Sequence, residues 1–255
     1  ERGALDNTLV VMTGDNGWQM PRGLAHIYDS GTRVPLVVTG PPVVAGGRTT
    51  SAFVSFEDFA PTFLELAGVR EHPACDGVSL LPLLRDASST GRDRVYLERE
   101  RHANVRRGDL SYPVRAVRTA DWLYVRNLRP DRGPSGDAEF YFAVGPYGDV
   151  DASLTKELLL HEPRPERLEP FFQGIFGLRP GEELYDLRAD PDQTHNLAGH
   201  PQHASTLQQL RADLSRWMEA TQDPRIDPAE ESFDRYPYFG TSRPQARPAR
   251  SDARE

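Results

Sequence analysis

Leu9-Val10-Val11-Met12 is an unbroken apolar run that stops at Thr13-Gly14-Asp15-Asn16-Gly17. A run of this kind suits a strand of a parallel sheet covered on both faces, which points to an α/β architecture. In such sheets ligands bind beyond the carboxyl ends of the strands. Asp15 and Asn16 stand there with hard oxygen donors of the type that suits Ca²⁺ or Mg²⁺. Asp-Asn-Gly is also a common turn former, so these residues by themselves leave both readings open.

The 255 residues suffice for one large domain or two small ones, and a 38% hydrophobic content can build a core. With 22 prolines and a mean hydropathy of −0.59, long loops are expected around it. The formal net charge of −8 argues against nucleic acid as a partner. Lys156 is the only lysine and every other cation is arginine. Genomic base composition explains that bias, although guanidinium forks also suit planar anions. Cys75 is the only cysteine, which excludes an intrachain disulfide or a Cys-rich metal site. No activating base lies near it, so it reads as an inert thiol. No apolar stretch of the 255 residues is long enough to span a bilayer. No part of them forms a signal-peptide pattern, which says little because the first residue does not read as a natural start. The first residue is not Met, and the chain runs at once into a core strand. A parallel strand needs neighbours, and too few candidates follow. The chain is therefore expected to be the C-terminal part of a longer protein.

A second strand is expected over residues 34–38, with Pro35 tolerable near its start. Residues 55–67 read as a helix with Ser55 as a candidate cap. Pro61 belongs in a first turn, which moves the start toward Asp58. The polar stretch 86–91 suggests a subdomain boundary, dividing the chain into 1–86, 87–226 and a Pro/Arg-rich tail, 227–255. Beyond it, residues 95–97 form a candidate strand, and 114–118 with 122–126 an antiparallel hairpin. Residues 128–182 carry one expected helix, 152–160, and 183–187 form a short strand. Residues 202–221 read as an amphipathic helix with Leu207, Leu210, Leu214, Trp217 and Met218 on one face, which must cover the sheet. Phe233, Tyr236, Tyr238 and Phe239 are the tail residues able to pack down.

Several segments together resemble one family. Asn7-Thr8-Leu9-Val10-Val11-Met12-Thr13-Gly14-Asp15-Asn16-Gly17 is similar to the second metal-ligand motif of the sulfatases. Tyr28 to Leu36 and Ser55 to Gly68 resemble the strand and helix that follow it. Glu183-Leu184-Tyr185-Asp186-Leu187, with Asp190-Pro191 and Asn196-Leu197, resembles the C-terminal signature. Tyr112-Pro113-Val114-Arg115-Ala116-Val117-Arg118 and Thr221-Gln222-Asp223-Pro224-Arg225 look like the heparan N-sulfatase branch. The resemblance implies the C-terminal portion of an alkaline-phosphatase-like parallel-sheet domain, then a small antiparallel sheet with a packed helix. It implies hydrolysis of sulfate esters or sulfamates of sugars. The nucleophile would be formylglycine, made from a Cys/Ser-x-Pro-x-Arg motif in the missing N-terminal part. Ca²⁺, with Mg²⁺ as the alternative, would be held by two early aspartates together with Asp15 and Asn16. Periplasmic or extracellular location is expected, and a homodimer is left open.

Two departures matter. The chain contains neither the nucleophile motif nor an early Asp-Asp pair, so it is expected to be inactive by itself. Where the family carries Lys or Arg to neutralise sulfate, this chain has Leu24. Arg22 is the nearest substitute, and His26 is a second catalytic candidate weighed against a core role. His102, Arg101 and Trp18 are substrate-binding candidates, His102 and Arg101 because Glu100-Arg101-His102 resembles a pocket-facing segment. Two alternatives stand beside the sulfatase reading: a related phosphoester hydrolase, and an impaired enzyme or carbohydrate-binding remnant. Loss of one such charge-neutralising group costs about 100- to 1000-fold in rate. In the complete protein, Leu24→Lys is therefore expected to raise sulfate release by that order if the enzyme is merely damaged. An unchanged rate in a sulfate-release assay would favour the binding remnant.

Overall fold

The computed structural model describes residues 3–44, 46–69, 75–139, 145–227 and 229–239. The strands are β1 (Val10–Thr13), β2 (Leu36–Thr39), β3 (Arg94–Arg99), β4 (Val114–Thr119), β5 (Trp122–Asn127) and β6 (Glu182–Asp186). The helices are α1 (Asp29–Thr32), α2 (Phe59–Leu66), α3 (Leu81–Arg85), α4 (Leu154–Leu160), α5 (Glu169–Phe176), α6 (Ala204–Ala220) and α7 (Ser232–Arg235). The chain divides into two compact units. One holds the residues up to Asp15, Val34–Val95 and Arg118–Ala120; the other holds Asn16–Arg33, Tyr96–Val117 and everything from Asp121 onward.

In the first unit β1 pairs with β2 antiparallel, with Val10 opposite Thr39 and Met12 opposite Val37. The partner of β1 among the described residues is therefore antiparallel, where the apolar run suggested a parallel neighbour. Val10 is 39% exposed, Met12 62% and Val37 50%. An apolar run records that a strand is suited to being covered; it specifies neither the direction of its partner nor the cover. Pro35 lies just before β2, so its missing N–H interrupts no pairing. A 3₁₀ turn at Phe56–Asp58 leads into α2, which places Pro61 in the first helical turn, as its chemistry requires. Asp58 is fully buried and ties the unit together. Its carboxylate accepts from the Ser55 N–H at 2.8 Å, the Val78 N–H at 2.8 Å and the guanidinium of Arg92. Leu80, Leu81 and Leu84 pack with Val38, Val54 and Phe59.

The second unit is built on the sheet, in the order β3-β4-β5-β6. Period-two alternation sorts its side chains. Val114, Ala116, Leu123, Val125 and Tyr185 face one core with Ile27, Tyr28 and Tyr112. Val117, Tyr124 and Leu184 face the other and meet Leu207, Leu210, Leu214 and Met218 of α6. The expected amphipathic helix therefore covers the sheet as its spacing required, with Tyr96 stacked on Trp217 at 4.9 Å between ring centres.

A third cluster joins α4 and α5 through Val150, Leu159, Ile175 and Phe176. α5 lies in a stretch where one helix was expected and two are found. Pro170 sits in its first turn, where a missing N–H costs nothing, so proline content is a poor sign of loop there. Lys156 on α4 is buried, its Nζ donating to the carbonyls of Val150 at 2.5 Å and Tyr147 at 3.2 Å. Burial lowers its ammonium to about 8. Among the described residues no helix is long and apolar enough to cross a membrane.

The segment after α6 is locked by charge. Arg115 on β4 is 1% exposed and holds Asp223 bidentately, Nε to Oδ2 at 2.5 Å and Nη2 to Oδ1 at 3.1 Å. Its Nη2 also donates to Glu100 at 2.9 Å, and Arg225 closes the ring by donating to both oxygens of Glu100 at 3.0 and 2.6 Å. Asp234 accepts from Ser111 at 2.6 Å and pairs with Arg132 at 2.8 Å. Part of the tail thus packs down; residues 240–255 lie outside the described residues, as do Pro73 and Ala74 before Cys75. Removing one partner of a buried pair strands the other, at about 3–5 kcal/mol. Arg115→Ala and Asp223→Ala should each destabilise by that order in urea unfolding. The double variant should cost clearly less than the two together.

Candidate functional site

The residues after β1 form a loop whose shape is set by close backbone contacts. A side chain at Gly17 would collide with the Ser30 carbonyl at 2.0 Å, and the Gly17 N–H donates to Gly31 O at 2.9 Å. The neighbours of Gly17 are the sequence candidates. Asp15, the last residue of the first unit, is exposed, and Asn16, the first of the second, is half-buried. The Asn16 Nδ2 donates to Gly17 O at 2.6 Å. Trp18 is 60% exposed, and its carbonyl accepts from the N–H of half-buried Leu24 at 2.7 Å.

Arg22 and His26 turn inward. Arg22 donates to the carbonyls of Gly174, at 3.1 Å, and Gln193, and lies over the Tyr28 ring at 3.7 Å. His26 is 6% exposed, with Nε2 3.3 Å from the Ser135 hydroxyl, which itself donates to Ile175 O. Burial, reinforced by the Arg99 and Arg179 guanidiniums, holds the His26 imidazole well below its ordinary range. It is neutral at pH 7.

His102 and Arg101 sit beyond β3. The His102 side chain is 39% exposed, and its Nδ1 lies 2.9 Å from Oδ1 of Asp149. Asp149 is fully enclosed and is also bound by Arg99 and by Arg106, the latter at 2.9 Å. Burial pushes the Asp149 carboxyl up, but Arg99, the His102 hydrogen bond and Arg106 more than offset this and hold it well below the carboxylate range. A permanent carboxylate can only accept, so His102 must donate from Nδ1. In the neutral ring Nε2 is then the acceptor. Arg101 is spent on the carbonyls of Asp109 and Tyr236, both at 2.9 Å.

A second buried acid, Glu183, accepts from Tyr28 at 2.8 Å, from Asn127 at 2.6 Å and from Tyr185. Burial, with Glu183 beside it, pushes the Tyr28 phenol up to about 12. Glu183, Tyr28 and Asn127 line a cleft of about 10 Å³ together with His26, Arg99 and Arg179. That is room for about one water-sized particle and excludes a sugar ring. Sequence reading missed Asp149, Arg99, Arg179 and Glu183. Asp149, Arg99 and Arg179 sit in segments without a motif, Glu183 sits in a signature that gives it no role, and only the fold joins them. Among the described residues no group of three or more His, Cys, Asp or Glu side chains could hold a metal. Asp15 and Asn16 are hard donors of the right chemistry but supply two of the six to eight oxygens that Ca²⁺ takes.

The His26 imidazole titrates near pH 6.5 when unfolded and lower when folded. Below pH 6.5 the unfolded chain therefore binds more protons, and stability falls as pH drops toward the folded value. The expected loss is up to ~1.4 kcal/mol per pH unit. His26→Gln should flatten urea-unfolding stability between pH 7.5 and 5.5; an unchanged slope would show that His26 is not the group responsible.

Residues 14–129 match the family model described as N-sulphoglucosamine sulphohydrolase, C-terminal. An ulvan-active sulfatase of Formosa agariphila is 31% identical over 234 residues, 91% of this chain and 36% of the relative. Human N-sulphoglucosamine sulphohydrolase is 30% identical over 239 residues, 89% of this chain and 44% of the relative. The chain thus spans less than half the length of these relatives. A solved structure of a 2-O GAG sulfatase superposes with a TM-score of 0.59 over 88% of this chain and 39% of that one, at 23% identity. That likeness shows a shared fold, in agreement with the α/β expectation. On these similarities the chain belongs to the sulfatase family, aligned with the C-terminal region of its members.

Proposed function

We propose that this chain is part of an enzyme that hydrolyses sulfate esters or sulfamates of sugars. The observation that carries the reading is the match over 91% of the chain to a relative named as an ulvan-active sulfatase. Human N-sulphoglucosamine sulphohydrolase supports the same substrate class. Asp15 and Asn16 follow the end of β1 and offer the oxygens that would hold Ca²⁺, with Mg²⁺ as the alternative. The bound cation would neutralise sulfate charge, and its remaining ligands, like the formylglycine nucleophile, would come from outside residues 1–255. Within the chain, Asp149 fixes the ring of His102 with Nε2 turned away from the carboxylate, able to meet a sugar hydroxyl or, when protonated, a sulfate oxygen. Trp18 supplies an exposed ring for the rim of such a pocket. Arg101 is already bound to two carbonyls and contributes by holding the segment before His102. Arg22 and His26 face inward, and the proposal gives them no step. Leu24 favours a second reading, sulfated-sugar binding with little turnover.

In the full-length protein Asp15→Ala should lower sulfate release by at least about 100- to 1000-fold and weaken Ca²⁺ binding in calorimetry. Unchanged turnover with unchanged Ca²⁺ affinity would overturn the assignment of Asp15.

A further inference from the structure

Two guanidiniums in the second unit meet without a carboxylate between them. Arg22 and Arg179 both donate to the carbonyl of Gly174, and neither has an ion-pair partner among the described residues. Both lie against the Tyr28 ring, at 3.7 and 5.9 Å from its centre. A third cation, Arg99, lines the same cleft as Arg179; its side chain is 8% exposed, and it shares the single carboxylate of Asp149 with Arg106. The Nε atoms of both Arg99 and Arg179 are buried with no hydrogen-bond partner among the described residues. Glu183 lines the cleft and its charge favours the Arg179 guanidinium, while its oxygens accept from Tyr28, Tyr185 and Asn127. With Asp149 this makes two carboxylates against the four guanidiniums of Arg22, Arg99, Arg106 and Arg179.

Arginines keep their charge at any ordinary pH, so this arrangement cannot relieve itself by losing a proton. Cations taken from water with too little counter-charge are costly, and buried donors without acceptors cost about 1–3 kcal/mol each. The cleft they share, of about 10 Å³, admits one particle of roughly the size of a water. Water would satisfy the donors but not the charge. We propose that the cleft bounded by Arg99 and Arg179, with Arg22 beside it, is a binding site for a single monatomic anion of the size and charge of chloride.

The test uses the full-length protein in a chloride-free buffer at fixed ionic strength, titrated separately with sodium chloride, sodium bromide and sodium sulfate. Melting temperature should rise with either halide and saturate, by roughly 2–5 °C well above the dissociation constant. Crystals soaked in bromide should show an anomalous peak within hydrogen-bond reach of Arg99 and Arg179. Arg179→Gln should abolish both the shift and the peak. If that variant does not fold, Arg22→Gln serves in its place, and the wild-type titration with the bromide peak decides without either. A melting temperature that follows ionic strength whatever the anion, or a cleft without a bromide peak, would overturn the proposal. Protection by sulfate but not by halide would overturn it as well, and would make the site one for an oxyanion.

Discussion

The ion-pair ring of Arg115, Asp223, Glu100 and Arg225 is the constraint on which the second unit turns. It joins β4, the residue after β3 and the segment after α6, three parts far apart in sequence. Hydrophobic burial alone would hold α6 on the sheet, but apolar contact is non-directional and tolerates sliding. Bidentate guanidinium–carboxylate contacts do not slide, because the fork and the two oxygens match in one orientation. With Arg115 fixed, the alternation of Val114, Ala116 and Val117 onto opposite faces of β4 is fixed too. The ring is better regarded as specifying the arrangement than as a large net source of stability, since desolvating four charges offsets much of their attraction.

This bears on how the chain was legible. Arg115 and the Asp223-Pro224-Arg225 ending were singled out by family resemblance, without any indication that they touch. The structure supplies the physical reason for both stretches: they are the two halves of one buried lattice. The helix Ala204–Ala220 and the β4–β5 hairpin were readable because their patterns are strong and local. α5 was not, because Pro170 and Gly174 mask a helix whose apolar face is set by contact with α4. Strand direction at β1 was not readable either, since an apolar run has no polarity.

The candidate site divides in the same way. Asp15, Asn16 and His102 could be named from sequence because motifs carry them. Asp149 could not. It is a loop acid with no neighbours in sequence to mark it, yet it fixes the tautomer of His102 and gathers Arg99 and Arg106. Glu183 lies inside a recognisable strand, but that strand announces its apolar residues and not the buried carboxylate between them. Groups that act through others leave little trace in a linear pattern, because what defines them is a partner tens of residues away.

The burial of Lys156 has a consequence for the outer surface. As the sole lysine of the 255 residues, it removes every side-chain primary amine from the solvent-facing shell. The positive half of that shell is then guanidinium, with histidine adding to it only in acid. Amine-directed acylating or cross-linking reagents would find almost nothing to attack. Between neutral pH and strong alkali the surface would keep its cations undiminished, where a lysine-bearing protein would progressively lose them.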